Sequence, residues 1–341
     1  MAKFPAHPPY IPIIKWQGYE QRALEQVDAA LISRMQPCVE VRTSKQHVNL
    51  MKNLHKVWPH DVLVDYANPS GAITHARLSE LLDFMQYAVQ QQLPVSPVLG
   101  PSFVAAAGTR FFKLAQALPY VTIRLRVGTL TVSGDKQQLA KEAHDHLKAN
   151  GISSSLIVDL GVSPKEWTQA EAARMGQDLQ ALAAIGYQSV HLISGAYPAS
   201  LASVKTGMAT FNRNDWSLWH DVNAGALGLD IGFGDYGTLS PEWTEEILQR
   251  RGGRIAIRYT RDDDWLILRA DGNTTGDSIA ISEILVNTYA NDFKGAPYSF
   301  GDTLIDERAD PNLPAKKKRC GHYHITEAWS HHIAYVLKEQ Y

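Results

Sequence analysis

The chain has 341 residues, 45% of them hydrophobic and 20% charged, with a formal net charge of −2. This is ordinary globular composition, with enough apolar residues for a sizeable core. The near-neutral balance gives no bulk electrostatic signal for nucleic acid or anionic membrane.

The leading residues 1–12 lack a continuous apolar core of the signal-peptide kind. No run reaches the roughly 18 apolar residues of a membrane span. Cys38 and Cys320 lie far apart and make neither a CxxC pair nor a disulfide framework. The expectation is a protein of the reducing cytoplasm.

The elements follow a strand-then-helix rhythm. Ile11–Trp16 reads as a first strand, and Tyr19–Met35 as an amphipathic helix with Leu24, Val27 and Leu31 at helical spacing. Pro37–Val41 is a second strand carrying Glu40, with Arg42 just beyond. Lys45–Val57 is helical up to Trp58-Pro59. Val62–Tyr66, with Asp65, is a third strand, followed by a helix over Leu78–Gln91. Pro94–Leu99 is a fourth, stopped by Gly100-Pro101, and a weak helix spans Val104–Leu118. Tyr120–Val127 alternates as a fifth strand and carries Arg124 and Arg126. Lys136–Asn150 is a helix closed by Gly151. Leu156–Leu160, with Asp159, is the sixth strand, and a helix runs from Pro164 to Ile185 with Gly186 beyond. Val190–Ser194 and Leu227–Phe233 complete the series of eight.

Strands alternating with helices imply βαβ units and a parallel sheet, whose strands read as continuous apolar runs because both faces are covered. Eight such units point to an α/β fold, a (β/α)8 TIM-type barrel; the alternative is an open doubly wound sheet. Beyond it the pattern changes. Arg254–Tyr259 and Trp265–Arg269 flank Asp262-Asp263-Asp264 as a hairpin, with helices expected near 278–289 and 326–338 and a loop over 295–314. The expected organisation is a barrel over 1–240 and a C-terminal hairpin-plus-helix extension over 241–341, packed on it.

In a parallel barrel the active site lies at the carboxyl ends of the strands. That rule selects Lys15, Glu40, Asp65, Arg124, Arg126, Asp159, His191, Asp235 and Tyr236. One reading gives Glu40, Asp65, Asp159 and Asp235 a hard divalent cation such as Mg²⁺, with Arg124 and Arg126 clamping phosphate. His191 or Lys15 then serves as acid or base. The other reading is an internal ion-pair network filling the barrel top. Strand alternation also requires some of these side chains to face the helix layer. Gly232-Phe233-Gly234-Asp235-Tyr236-Gly237 reads as a strand-ending turn, with a phosphate nest as its alternative. The His322, His324 and His331-His332 group fits no zinc spacing, and Lys316–Arg319 reads as a solvated run.

Tyr10–Trp16, Gln36–Val41, Phe233–Tyr236, Ile257–Thr260 followed by Trp265–Arg269, and His331-His332 resemble, in their order, the beta-protein family of prophages, phage satellites and bacterial defence islands. The resemblance implies phage-defence or phage-satellite biology and supplies no catalytic residues. It draws attention to Asp235, Tyr236, Arg258, Tyr259 and Arg269 as one cluster at the junction of barrel and extension. Two functions follow. One is a metal-assisted hydrolase or phosphodiesterase acting on a nucleotide or nucleic acid. The other is a non-catalytic sensor or binding module that recognises a phage component or a co-encoded partner protein.

Overall fold

The computed structural model describes residues 7–226, 228–242, 253–321 and 323–341. Leu227, the expected start of the eighth strand, and His322 lie outside them, as do residues 1–6 and 243–252 of the two expected domains.

Eight parallel strands close a barrel. In chain order they are β1 (Ile11–Lys15), β2 (Cys38–Glu40), β3 (Val62–Asp65), β4 (Val95–Leu99), β5 (Val121–Arg126), β6 (Ser154–Val162), β7 (Val190–Gly195) and β9 (Gly232–Asp235), the last pairing with both β7 and β1. The α/β expectation of a (β/α)8 barrel therefore holds. Helices α1 (Gly18–Glu25), α2 (Ser44–Val57), α3 (His75–Gln91), α4 (Pro101–Val104), α5 (Gly108–Ala115), α6 (Gly134–Ala149), α7 (Gln169–Ala183) and α8 (Asn214–Gly225) lie between the strands.

Local chemistry sets several helix limits. Thr43 and Gln46 form a capping box on α2, and Thr168 and Glu171 form one on α7. The second box starts α7 at Gln169 rather than at Pro164. Gly151 and Gly186 have φ of +71° and +114°, so both act as the left-handed stops their positions suggested. The first expected helix is shorter than its apolar spacing implied: α1 ends at Glu25, and a single 3₁₀ turn follows at Ile32–Arg34.

Strand alternation gives the barrel wall two sides. Ile11, Ile13, Cys38, Leu63, Val98, Ile157, Ile193 and Tyr236 form the interior cluster. Ile14, Val39, Val64, Ile123, Val158, Leu192 and Phe233 pack outward in the larger core under the helices. The glycines of β9 belong to this packing. A Cβ on Gly234 would stand 2.7 Å from the Ile193 side chain, and one on Gly232 would overlap the His191 ring. They make room for side chains of the neighbouring strand, which is a third use besides the turn and the nest.

A second sheet forms from β8 (Gly207–Asn212), β10 (Ala256–Thr260) and β11 (Asp264–Arg269), in the order β10-β11-β8 and antiparallel throughout. The hairpin is as expected. Its third strand is supplied from between β7 and β9. Helices Thr275–Thr288, Phe300–Ala309 and Tyr323–Tyr335 complete this region. The second of these falls inside the stretch expected to be a loop. Ser299 caps it by accepting from the Asp302 amide, a local signal hidden by the surrounding Gly and Pro.

Candidate functional site at the barrel mouth

The parallel register sets Lys15 beside Glu40 and Glu40 beside Asp65, and pairs Arg126 with Asp159 between β5 and β6. Lys15, Glu40, Asp65, Arg124 and Asp159 share the strand parity of the interior residues, so they form a layer at the carboxyl end of the barrel. Tyr236 enters the same layer just past β9. None of the six is more than 4% exposed.

Arg124 is the hub. Its Nε donates to Asp159 Oδ2 at 2.9 Å, and its Nη1 to Glu40 Oε1 at 3.0 Å and Asp65 Oδ2 at 2.7 Å. Its Nη2 donates to the Tyr236 hydroxyl at 2.7 Å, which in turn donates to Asp159 Oδ2 at 2.8 Å. Glu40 Oε2 accepts from Lys15 and, at 2.7 Å, from Arg42. Asp65 Oδ2 also accepts from Arg126 at 3.0 Å. The remaining oxygens accept from the chain itself: Asp65 Oδ1 from the Ala67 amide and Asp159 Oδ1 from the Gly161 amide, both at 2.8 Å. Every oxygen of the three carboxylates thus accepts at least one hydrogen bond.

The electrostatics agree with this geometry. Burial alone would raise the Glu40 pKa, but Arg42, Lys15 and Arg124 outweigh it and hold the group well below its usual range. Burial likewise opposes ionisation of Asp65, and Arg126, Arg124 and Arg42 reverse the effect. Burial would weaken the Arg124 charge, but Tyr236 and the three carboxylates raise its pKa well above the ordinary value. Glu40, Asp65 and Arg124 are thereby held in their charged forms by one another and by their neighbours.

The other sequence-selected residues are elsewhere. Asp235 has the opposite parity to Tyr236 and points out of the barrel wall. There its Oδ1 accepts from Tyr10 at 2.6 Å and from the Gly237 amide at 3.0 Å, and its Oδ2 meets His332 Nε2 at 2.9 Å. Asp235 therefore does not join Glu40, Asp65 and Asp159, which corrects the four-carboxylate cation site. Among the described residues no group of three or more His, Cys, Asp or Glu side chains is arranged to hold a metal ion.

His191 is also corrected. It is the second residue of β7, at the amino end of the barrel, and lines a cavity of about 760 Å³ with Gln36, Tyr120 and Ser155. Its Nε2 donates to the Pro9 carbonyl at 3.0 Å. Burial lowers its pKa to about 4, so it is neutral at pH 7 and remote from the charged layer.

The junction cluster does not form. Arg258 and Tyr259 are adjacent on β10 and so face opposite sides of the sheet. Arg258 lies over the Tyr197 ring, 5.9 Å from its centre. Tyr259 donates to Asp302 Oδ1 at 2.7 Å and stacks on His331, with ring centres 3.7 Å apart. Arg269 donates to the carbonyls of Leu201 and Val204.

The final-helix histidines are structural anchors. His331 places Nδ1 2.9 Å from Asp302 Oδ2 and Nε2 2.9 Å from the Thr260 carbonyl. The ring thus ties Asp302 to the end of β10. His332 bridges Asp235 and, through Nδ1, the Thr260 hydroxyl at 2.9 Å, tying the last helix to the barrel wall and to β10. Arg213 and Asp215, which no sequence pattern singled out, are buried beside this cluster. Arg213 Nη2 lies 3.8 Å from Asp235 Oδ2. The Asp215 carboxylate has no side-chain hydrogen-bond partner among the described residues, and burial raises its pKa to about 7. No local motif marks either residue.

Fold and mouth together define a (β/α)8-barrel protein whose strand ends carry a buried ionic layer. A family model described as Beta protein matches residues 10–338, nearly the whole chain. The chain belongs to that family. No curated protein sequence matches it. Among solved structures it is similar to the HMG-CoA lyase of Brucella melitensis, at 10% identity over 83% of this chain and 91% of that one, with a TM-score of 0.37. It is also similar to the D-psicose 3-epimerase of Clostridium cellulolyticum H10, at 8% identity over 71% and 90%, with a TM-score of 0.36. A third is the arginine decarboxylase of Paramecium bursaria Chlorella virus, at 11% identity over 67% of this chain, with a TM-score of 0.35. The chain spans 57% of that decarboxylase's length. No helix among the described residues is long and apolar enough to cross a membrane.

Proposed function

We propose that this protein is a non-catalytic binding or sensing module of a phage-defence or phage-satellite system. Its barrel recognises a phage component or a co-encoded partner protein. The observation that carries the reading is the closed layer at the mouth. The acids that a metal-assisted hydrolase would use, Glu40, Asp65 and Asp159, are each bound on both oxygens by Lys15, Arg42, Arg124, Arg126, Tyr236 or a main-chain amide. A metal ion or a water nucleophile would have to displace ion pairs and hydrogen bonds whose partners Lys15, Arg124 and Tyr236 are buried and have no solvent to retreat to. His191, the expected acid or base, is on the far side of the barrel interior.

The test is purified protein with Mg²⁺ or Mn²⁺ against panels of nucleotides, RNA and DNA, beside Asp159→Asn as control. No turnover above that control is expected. Metal-dependent turnover that Asp159→Asn abolishes overturns the proposal.

A further inference from the structure

We propose that the barrel mouth holds a binding site for a small phosphate-like anion, centred on Arg126, in the cleft between the loops after β3, β4 and β5. This rests on the reading of the protein as a binding module and deepens it by naming a ligand class.

The cleft has a volume of about 250 Å³, and Ser102, Arg124, Arg126, Lys136 and Leu139 contribute to its wall. Arg124 is spent on the buried layer. Arg126 is not. Its Nη2 donates to Asp65, its Nη1 is buried with no hydrogen-bond partner among the described residues, and the side chain as a whole is 17% exposed. A partly exposed guanidinium on a cavity wall, with a buried nitrogen that no described protein group satisfies, is suited to phosphate or sulfate oxygens.

One neighbour hems that guanidinium in, and a second braces the main chain that carries it. Gly71 has a φ of +89° and passes so close that a Cβ there would stand 3.1 Å from Nη1. Lys136, in the first turn of α6, donates to the carbonyls of Arg126 at 3.0 Å and Val127 at 2.9 Å. An ammonium has three donors, so one remains for a ligand. Ser102 adds an exposed hydroxyl at the rim.

Charge and size narrow the ligand. Lys15, Arg42, Arg124, Arg126 and Lys136 face Glu40, Asp65 and Asp159, which leaves an excess of positive charge at the mouth. The cleft is smaller than the roughly 300–1,000 Å³ of sites that enclose drug-sized ligands. It fits free phosphate or the terminal phosphate of a larger molecule.

Calorimetric titration of the full chain with inorganic phosphate, sulfate and glycerol 3-phosphate tests the site. Saturable binding of one equivalent is expected, and the stronger of phosphate and glycerol 3-phosphate identifies the source. Arg126→Gln should weaken it at least about tenfold, a change calorimetry resolves readily. Leu139→Glu places a negative charge on the wall from an exposed position, so it should abolish binding with the unfolding midpoint unchanged. Absence of saturable binding of all three anions by the unsubstituted protein overturns the site, as does unaltered binding by both variants. Neither result touches the non-catalytic reading, which stands or falls on turnover.

Discussion

Replacing Arg124 with methionine removes the one side chain that reaches Glu40, Asp65, Asp159 and Tyr236 at once. Breaking a buried pair by deleting one partner costs about 3–5 kcal/mol, because a charge is left without compensation. Arg124 serves three carboxylates, so the cost falls at the upper end, about 5 kcal/mol. That is a large share of the roughly 5–15 kcal/mol that holds a domain together. The pH dependence carries further information. In the unsubstituted protein Glu40 and Asp65 have folded pKa values below their unfolded ones. Their stabilisation is therefore complete above the unfolded values and is lost as the pH falls through the folded ones. Without Arg124 one of the charges that hold those pKa values down is gone, so both rise. The variant's deficit should then be greatest at pH 7 and shrink on acidification. The recovery is about 1.4 kcal/mol per pH unit for each carboxyl that is protonated in the fold and still ionised in the unfolded chain. Adding Asp159→Asn should recover part of the loss by neutralising one orphaned acid. Urea unfolding at pH 7 and pH 5 measures all of this, provided the slope with denaturant is unchanged. A loss below about 1 kcal/mol at pH 7 would show that Arg124 is not the hub of the layer, as would a deficit that does not vary with pH.

Two other substitutions probe separate parts of the structure. Asp215 is a buried carboxyl whose folded pKa, about 7, lies above the unfolded value. Its cost is absent at low pH, grows as the pH rises through the unfolded value, and levels off above 7. Asp215→Asn should therefore stabilise the protein at pH 8 by on the order of 2–4 kcal/mol and leave it unchanged near pH 3; equal effects at both, by thermal unfolding, would contradict the assignment. Gly232→Ala should destabilise by about 1–3 kcal/mol, because its methyl group meets the His191 ring in a packed interior. His191→Ala in the same chain should relieve much of that, and strictly additive losses would show that the two residues do not touch.

The barrel was legible because parallel strands covered on both faces leave continuous apolar runs, and seven of the eight appear close to where those runs lie. The eighth is displaced: β9 starts at Gly232, since its inward residues are glycines that carry no hydrophobic signal. β8 was not legible either. Gly207–Asn212 is half exposed, and it becomes a strand only by pairing with β11, more than fifty residues later.

The mouth was legible in its members but not in its arrangement. Parity links Lys15, Glu40, Asp65 and Asp159 with the apolar residues two positions earlier on their strands, and Arg124 with the buried Thr122, once each strand is placed in register. Asp235 differs from Tyr236 by a single position, and that position sends it to the helix layer. Its partner His332 is 97 residues away, and nothing local connects them. The same holds for Tyr10 and Arg213. Short-range patterns report which face a residue occupies; pairing across the chain decides what it meets there.

If the carboxylates of the mouth are committed to their internal partners, they are closed to a metal ion. Calorimetric titration of the purified protein with Mn²⁺ at pH 7, with Asp159→Asn in parallel, is the decisive measurement. No saturable heat is expected in either protein. Binding of one equivalent of Mn²⁺ by the unsubstituted chain, lost in Asp159→Asn, would show that the layer opens to a cation after all.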